Sequence, residues 1–213
     1  MKNFPNTEST FILPGPAGDL EILTTPEKEN ITPRNAVGII CHPHPLFSGT
    51  MHNKVVTTLA RVFSDLGLAS VRFNFRGVGK STGSYAEGIG ETNDLYAVID
   101  WVKKVRPNAE IWLAGFSFGS YVAARAASEI QVSQLISIAP PVARFDFLNL
   151  ANITCPWVIV QGETDDVVIP AEVYAFVETL NPLPTLIKIP EAGHFFHKKL
   201  LVLREELENY FSF

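Results

Sequence analysis

Five consecutive residues near the middle of the chain, Gly115-Phe116-Ser117-Phe118-Gly119, set a serine between two glycines in a GxSxG pattern. The apolar run IWLA leads into the pattern and the small-residue run YVAARAA leads out of it, which predicts a strand, a tight turn and a helix. A serine on such a turn projects from the end of the strand and is placed to act as a nucleophile. The alternative is an ordinary strand-to-helix turn in which Ser117 caps the helix.

A serine hydroxyl becomes an effective nucleophile only when a neighbouring base accepts its proton, and histidine is the usual base. Two histidines, His194 and His197, follow Ser117 in the chain. His194 comes directly after Gly193 in the loop expected between the strand TLIKI and the last helix, whereas His197 is expected to lie inside that helix. We therefore predict His194 as the base and a solvated or packing role for His197.

A carboxylate is usually needed to orient such a histidine. The loop after the predicted strand 157–161 reads GETDDVVIP and carries three acids. Asp165 lies at its centre, Asp166 is the neighbouring rival, and Glu163 stands close to the strand end, where it is suited to fixing the loop. Asp146, after the preceding strand, is a more distant candidate. The residues alone leave these acids in competition.

The elements that must position these side chains alternate between strand and helix after an opening hairpin. Strands are predicted at 9–13, 19–25, 36–41, 68–75, 111–115, 135–139, 157–161 and 185–189, and helices at 52–66, 90–105, 118–130, 170–180 and 196–211. This alternation is typical of βαβ units and predicts an α/β fold, with a mainly parallel sheet and helices on both faces. Ligands bind such sheets beyond the carboxyl ends of the strands, which is where the serine, the histidine and the acids fall.

The order Ser117, Asp165, His194 resembles the α/β-hydrolase superfamily over nearly the whole chain. GFSFG is similar to its nucleophile elbow, GETDDVVIP to its acid loop G-x-x-D-x-x-V-P, and EAGHFFH to its histidine loop. The resemblance selects Asp165 as the acid. The segment HPHPLFSGTMHNKVV resembles the corresponding stretch of small bacterial serine hydrolases that lack a lid and are similar in size to dienelactone hydrolases. True dienelactone hydrolases use a cysteine where this chain has Ser117, which disfavours their specific reaction.

An oxyanion hole requires two backbone N–H groups aimed at the charge that develops on the attacked carbonyl. Phe118, which follows the serine, is expected to supply one of them, and the loop after the strand AVGIIC, residues 42–47, is expected to supply the other. Proline has no N–H, which excludes both prolines of HPHP in that loop. Leu46 is the first choice for the second donor and His44 is the alternative.

The histidines of the same region also raise the question of a metal site, with His42, His44 and His52 as ligands. Metal sites of this kind usually include further cysteine or carboxylate ligands, and no such cluster accompanies these three residues in the sequence. We therefore favour histidines and prolines that stiffen the oxyanion loop, and we predict no metal.

Residues 77–82, GVGKST, look like the end of a phosphate-binding P-loop. The motif GxxxxGK[ST] requires a glycine at position 74, where this chain has Asn74. FRGVGKS instead resembles the RGxGxS turn that follows a strand in α/β-hydrolases, where Arg76 would pair with a nearby acid. We predict no organic cofactor.

The segment between the strands 135–139 and 157–161 holds only residues 140–156, too few for a lid domain. An open active site is therefore expected, with walls formed by aromatic and aliphatic side chains near the strand ends. The predicted walls are Phe116, Phe118, Val142, Phe145, Phe147, Phe195 and Phe196. This set indicates an apolar acyl or alcohol pocket rather than one for a charged group.

The composition of the chain excludes or disfavours several classes of protein. The 213 residues are 46% hydrophobic and 18% charged, which excludes a mainly disordered chain, and the net charge of −5 disfavours a nucleic-acid binder. Cys41 and Cys155 are expected to be buried free thiols. The start of the chain shows no signal peptide, and no apolar run approaches the ~18 residues of a membrane span. We expect one domain over residues 1–213, in a cytoplasmic monomer or homodimer without a membrane partner.

Together these features predict a serine hydrolase that acts on a small-molecule ester or thioester. Ser117 would attack the carbonyl, His194 would transfer the proton, and Asp165 would orient the imidazole. Thioesterase, lactonase and small-peptidase activities use the same residues and stay open. A catalytically silent homologue that binds a ligand is the alternative from a different functional class, because a fold does not fix a function.

Overall fold

The computed structural model describes residues 3–150 and 153–212, which form an eight-stranded sheet flanked by helices. The strands are Ser9–Gly15 (β1), Gly18–Thr25 (β2), Ala36–Cys41 (β3), Ala69–Phe73 (β4), Glu110–Phe116 (β5), Gln134–Ile138 (β6), Trp157–Gly162 (β7) and Thr185–Ile189 (β8). The helices are Lys54–Asp65 (α1), Ile89–Val105 (α2), Phe118–Glu129 (α3), Pro170–Glu178 (α4) and Leu200–Phe211 (α5), with a short 3₁₀ turn at Pro45–Phe47.

The strand order is β1-β2-β4-β3-β5-β6-β7-β8. The β1–β2 hairpin lies antiparallel to β4, and every pairing from β4 to β8 is parallel. Parallel strands aligned in this way bring their carboxyl ends to one edge of the sheet, so the loops after β3, β5, β7 and β8 meet there. The predicted α/β-hydrolase fold, with its N-terminal hairpin, is confirmed.

Two hydrophobic clusters cover the two faces of the sheet, and the period-2 alternation of the central strands divides their side chains between them. On β3, Val37 and Ile39 join the first core cluster with α2, α3 and α4. Ala36 and Ile40 join the second core cluster with α1 and α5. Because both faces are covered, β3 reads as a continuous apolar run rather than as an alternating one.

The connection between β6 and β7 determines how open the carboxyl edge is. Its described residues, 139–150 and 153–156, contain turns and bends but neither a helix nor a strand. The expected absence of a lid domain therefore agrees with the fold. In the part of the chain that the structure describes, no helix is both long enough and apolar enough to cross a bilayer.

The start of the last helix differs from the prediction. The turn before α5 contains Phe196 and Lys198 with φ values of 52° and 62°, a left-handed conformation that a right-handed helix cannot contain. The helix therefore begins at Leu200 rather than at residue 196. His197 consequently lies in the turn, exposed to solvent, and the prediction that it belongs to the helix is wrong.

The two cysteines are free thiols, as expected, but only Cys41 is fully buried, while Cys155 is half-buried. Burial raises the pKa of both thiols. A raised pKa keeps a thiol protonated and therefore poorly nucleophilic, so the serine remains the residue placed for nucleophilic chemistry.

Candidate active site

Ser117 occupies a sharp turn between β5 and α3, with φ of 52° and ψ of −121°. Its backbone N–H donates to the Ile138 carbonyl at 2.8 Å, which ties the turn to the neighbouring strand β6. The two glycines of GxSxG are required by close backbone approaches. A Cβ at Gly115 would collide with the carbonyl of Gly119, and a Cβ at Gly119 would collide with the carbonyl of Cys41. The motif therefore forms the strained strand–turn–helix that its sequence predicts.

Three side chains from separate loops form a continuous hydrogen-bonded chain at the carboxyl edge of the sheet. His194 Nε2 lies 3.1 Å from Ser117 Oγ, and His194 Nδ1 lies 2.9 Å from Asp165 Oδ2. A carboxylate accepts the Nδ1–H proton, which leaves the Nε2 lone pair directed at the serine hydroxyl. This arrangement is suited to moving a proton from serine to histidine.

The Asp165 carboxylate accepts three further hydrogen bonds besides the one with His194. Its Oδ1 accepts the backbone N–H groups of Val167 at 2.9 Å and Val168 at 2.8 Å, and its Oδ2 also accepts from Gln161 Nε2 at 3.2 Å. Burial by itself raises the pKa of Asp165, but the hydrogen bonds from His194 and from the two backbone N–H groups, with the His194 charge, lower that pKa below its ordinary value overall. The carboxylate is therefore ionised and fixed in direction.

The competing acids point elsewhere. Asp166 and Glu163 are exposed, and Asp146 accepts hydrogen bonds from the backbone and side chain of Asn149. Of the four acids considered from the sequence, the structure thus brings only Asp165 to the histidine.

The two N–H groups considered for the second oxyanion donor, those of Leu46 and His44, differ in whether they already have an acceptor. The N–H of Leu46 donates to the ring Nδ1 of His44 at 3.2 Å as the 3₁₀ turn begins, so it is already engaged, and the Leu46 side chain is 68% exposed. His44 lines the cavity beside Ser117, and its own N–H has no acceptor among the described residues. Phe118 opens α3, where a backbone N–H has no partner within the helix. With the Leu46 N–H engaged and the His44 N–H unengaged, the geometry favours His44 and Phe118 as the donor pair.

A cavity of about 620 Å³ opens beside Ser117 and His194. Phe118, Phe145 and Phe195 line it, as predicted. Phe116, Val142, Phe147 and Phe196 do not. Phe116 and Phe196 are fully buried in the second core cluster, Phe147 is buried in the first, and Val142 packs against the first. The remaining lining comes from Pro43, His44, Phe47, Ser48, Gly49, Asn53, Pro141, Arg144, Val167 and Val168. Most of these side chains are apolar.

Comparison with known proteins places the chain in a family. A family model described as X-Pro dipeptidyl-peptidase (S15 family) matches residues 23–150, which is more than half of the chain. The chain belongs to this S15 family of α/β hydrolases.

Solved and curated relatives are similar to the chain over most of its length. XC6422 from Xanthomonas campestris, described as an α/β serine hydrolase without a lid, is 44% identical, with 97% of this chain and 94% of that chain covered and a TM-score of 0.94. An α/β serine hydrolase homologue from Coxiella burnetii is 48% identical, with coverages of 98% and 99% and a TM-score of 0.94. The uncharacterized protein RP471 from Rickettsia prowazekii is 35% identical over 189 residues, which cover 84% of this chain and 79% of that protein.

In this S15-family chain, His42 stiffens the loop that carries the predicted oxyanion donor. The His42 Nδ1 is 2.6 Å from the Pro43 carbonyl, and its Nε2 accepts the N–H of Phe75 at 3.0 Å. Burial lowers the pKa of His42 to about 3, so the ring is neutral. Both ring nitrogens are engaged within the protein, which leaves His42 no free lone pair for a metal.

The RGVGKS turn is also structural. The guanidinium of Arg76 makes a two-pronged contact with the fully buried Asp94 of α2, through Nη2 at 2.7 Å and Nε at 3.0 Å. The backbone N–H of Arg76 donates to the same carboxylate at 3.1 Å. The expected pairing of Arg76 with an acid is therefore present, and it fixes the loop after β4 to α2.

Several cavity residues were not predicted from the sequence, among them Phe47, Asn53 and Arg144. Phe47 is 80% exposed and lies two residues after the HPHP segment, so its position at the cavity could have been predicted from its neighbours. Arg144 stands as a single cation within an otherwise uncharged stretch, PPVARF, in the loop where a lid would be inserted.

Proposed function

We propose that this S15-family protein hydrolyses carboxylic ester bonds through an acyl-enzyme on Ser117. The proposal rests on one observation, the hydrogen-bonded chain from Ser117 Oγ through the His194 ring to Asp165. Ser117 Oγ bonds to the substrate carbonyl carbon while His194 Nε2 accepts the serine proton. The C–O bond of the ester then breaks, and the proton passes from Nε2 to the departing alcohol.

Water completes the cycle through the same residues. His194 Nε2 accepts a proton from water, whose oxygen attacks the acyl carbon, and the bond to Ser117 Oγ breaks as the proton returns to that oxygen. Asp165 stays ionised and stabilises the imidazolium in both halves. The backbone N–H groups of His44 and Phe118 are the proposed donors to the oxyanion of each tetrahedral intermediate.

The apolar cavity supports small-molecule esters or thioesters as substrates, since its volume and lining suit a hydrocarbon acyl or alcohol group. A thioester would react through the same steps, with a thiol as the leaving group.

The family description favours a second candidate, release of X-Pro dipeptides from a peptide amino terminus. Such a substrate carries a free ammonium group, which a binding site normally meets with a carboxylate. The described residues that line the cavity include neither an aspartate nor a glutamate, and they include the cation Arg144. These features favour the ester over the dipeptide.

A substrate panel separates the two candidates. The purified protein and its Ser117→Ala variant would be compared on p-nitrophenyl butyrate, a thioester of the same acid and glycyl-prolyl p-nitroanilide. Ester turnover that disappears in Ser117→Ala supports the proposal. Turnover of the anilide alone would favour the peptidase, and no Ser117-dependent turnover of any of the three would favour a ligand-binding role.

A further inference from the structure

One cationic side chain stands in the mainly apolar lining of the cavity. Arg144 lines the same space as Ser117 and His194, and among the described lining residues no other side chain is a lysine, arginine, aspartate or glutamate. A substrate bound beside the serine therefore meets a positive charge with no carboxylate of the lining to offset it.

One hydrogen bond links the exposed Arg144 side chain to the loop that carries Asp165. Its Nη2 donates to the carbonyl of Val167 at 3.0 Å, and the N–H of Val167 in turn donates to Asp165 Oδ1 at 2.9 Å. The backbone of Arg144 is fixed by its own N–H bond to the Pro141 carbonyl at 3.0 Å. Two hydrogen bonds thus connect the cation to the carboxylate that orients His194.

Most of the hydrogen-bonding capacity of this guanidinium is unused. An arginine side chain offers five N–H donors, and the Val167 carbonyl takes one of them. Across residues 3–150 and 153–212, none of the ion pairs involves Arg144. The planar fork of N–H groups matches the two oxygens of a carboxylate.

We infer that Arg144 binds a carboxylate of the substrate, so that the preferred esters or thioesters carry a free carboxylate at the end remote from the bond that is cleaved. This inference rests on the proposed function for the reaction but names the substrate class separately. It revises the purely apolar pocket predicted from the sequence: the phenylalanine and valine side chains contact the hydrocarbon part, and Arg144 contacts the charged end.

The test compares acyl chains of equal length with and without the charge. The monomethyl esters of glutaric and adipic acid would be measured against methyl pentanoate and methyl hexanoate by titration of the released acid. We expect a higher kcat/KM for the charged member of at least one pair. We also expect Arg144→Gln to lower the charged-to-neutral ratio by about tenfold or more, because a charge-assisted contact is lost.

Two further variants serve as controls. Lys103→Gln removes the same charge from an exposed position on α2, outside the cavity, and should leave the ratio unchanged. Arg144→Lys keeps the charge without the fork and should restore part of the preference. A wild-type ratio at or below one for both pairs, or an equal ratio in wild type and Arg144→Gln, would overturn the inference.

A binding measurement tests the carboxylate site without any turnover. Failure of this inference can therefore be distinguished from failure of the proposed reaction. Calorimetry would record the binding of monomethyl glutarate to Ser117→Ala and to Ser117→Ala with Arg144→Gln. Binding that weakens about tenfold in the double variant supports the carboxylate site even if no ester is hydrolysed. Equal affinity, or no binding to Ser117→Ala, contradicts it.

Discussion

The N–H of Phe75 donates to His42 Nε2 at 3.0 Å and joins the loop after β4 to the loop after β3. This bond requires an unprotonated Nε2, and burial lowers the pKa of His42 to about 3, well below the ordinary 6.5. The loop that carries His44 is therefore built on a histidine that must stay neutral.

Acid should consequently weaken the fold through His42. Between pH 6.5 and 3 the unfolded chain binds a proton that the native chain does not, so the free energy of unfolding falls as pH drops through this window. The His42 contribution is fully present above pH 6.5, and its limiting slope is about 1.4 kcal/mol per pH unit. Urea unfolding from pH 7 to 4 should show a shallower slope for His42→Gln, with exposed His52→Gln as the unchanged control. An identical slope in His42→Gln and wild type would contradict this reading.

The assignment of the acid predicts unequal effects for neighbouring residues. Asp165→Asn keeps the shape but removes the charge beside His194 and can select the wrong tautomer, so turnover should fall by roughly 10²–10⁴-fold. Asp166→Asn should cost less than about tenfold because that side chain is exposed. The kcat values of the two variants, from steady-state kinetics, show which carboxylate orients His194.

Glu163 lies two residues from Asp165 and could replace its carboxylate beside His194 in Asp165→Asn, so a double variant is needed as a control. Asp165→Asn combined with Glu163→Gln should lose at least as much activity as Asp165→Asn alone. A larger loss for Asp166→Asn than for Asp165→Asn would show that the acid is wrongly assigned.

The oxyanion donor can be tested by removing a backbone N–H. His44 has φ of −53°, a value that proline adopts readily, so His44→Pro deletes the N–H at a compatible position. His44→Ala loses the same ring but keeps the N–H. We expect kcat to be lower in His44→Pro than in His44→Ala by roughly 10²–10³-fold. Equal kcat values in the two variants would mean that the His44 N–H makes no contribution.

Most of the fold was predictable because its signals are local. The continuous apolar run of β3 reflects a strand that is buried on both faces. The spacing of the apolar side chains in α1 reflects a helix that is buried on one face, and Gly and Pro mark the turns between elements. The helix start at Leu200 was missed because the left-handed backbone at Phe196 and Lys198 interrupts a stretch whose apolar spacing continues.

The site residues, too, were predictable only where the signal is local in the sequence. Ser117, Asp165 and His194 could be proposed from the sequence because each stands in a loop with a characteristic pattern, whereas Leu46 was chosen by excluding prolines. That exclusion could not show that the His44 ring already accepts the Leu46 N–H. Phe116 was placed in the pocket although β-strand alternation puts it on the same face as Ala114, in the second core cluster.

The role of Ser117 predicts a separation of activity from stability. Ser117→Ala removes one hydroxyl and keeps the elbow glycines, so ester turnover should fall by on the order of 10⁴–10⁶ while the free energy of unfolding changes by less than about 1 kcal/mol. Turnover and urea unfolding of the same preparation check both statements. Near-wild-type turnover in the purified variant would exclude a serine mechanism.

Covalent labelling by a fluorophosphonate, located by peptide mass spectrometry, tests the acyl-enzyme proposal most directly. We expect one adduct per folded chain, on Ser117, and a labelling rate that falls by on the order of 10² or more in His194→Ala, because the serine then lacks its base. Absence of an adduct on the folded wild-type protein, or an adduct on a different residue, would contradict it.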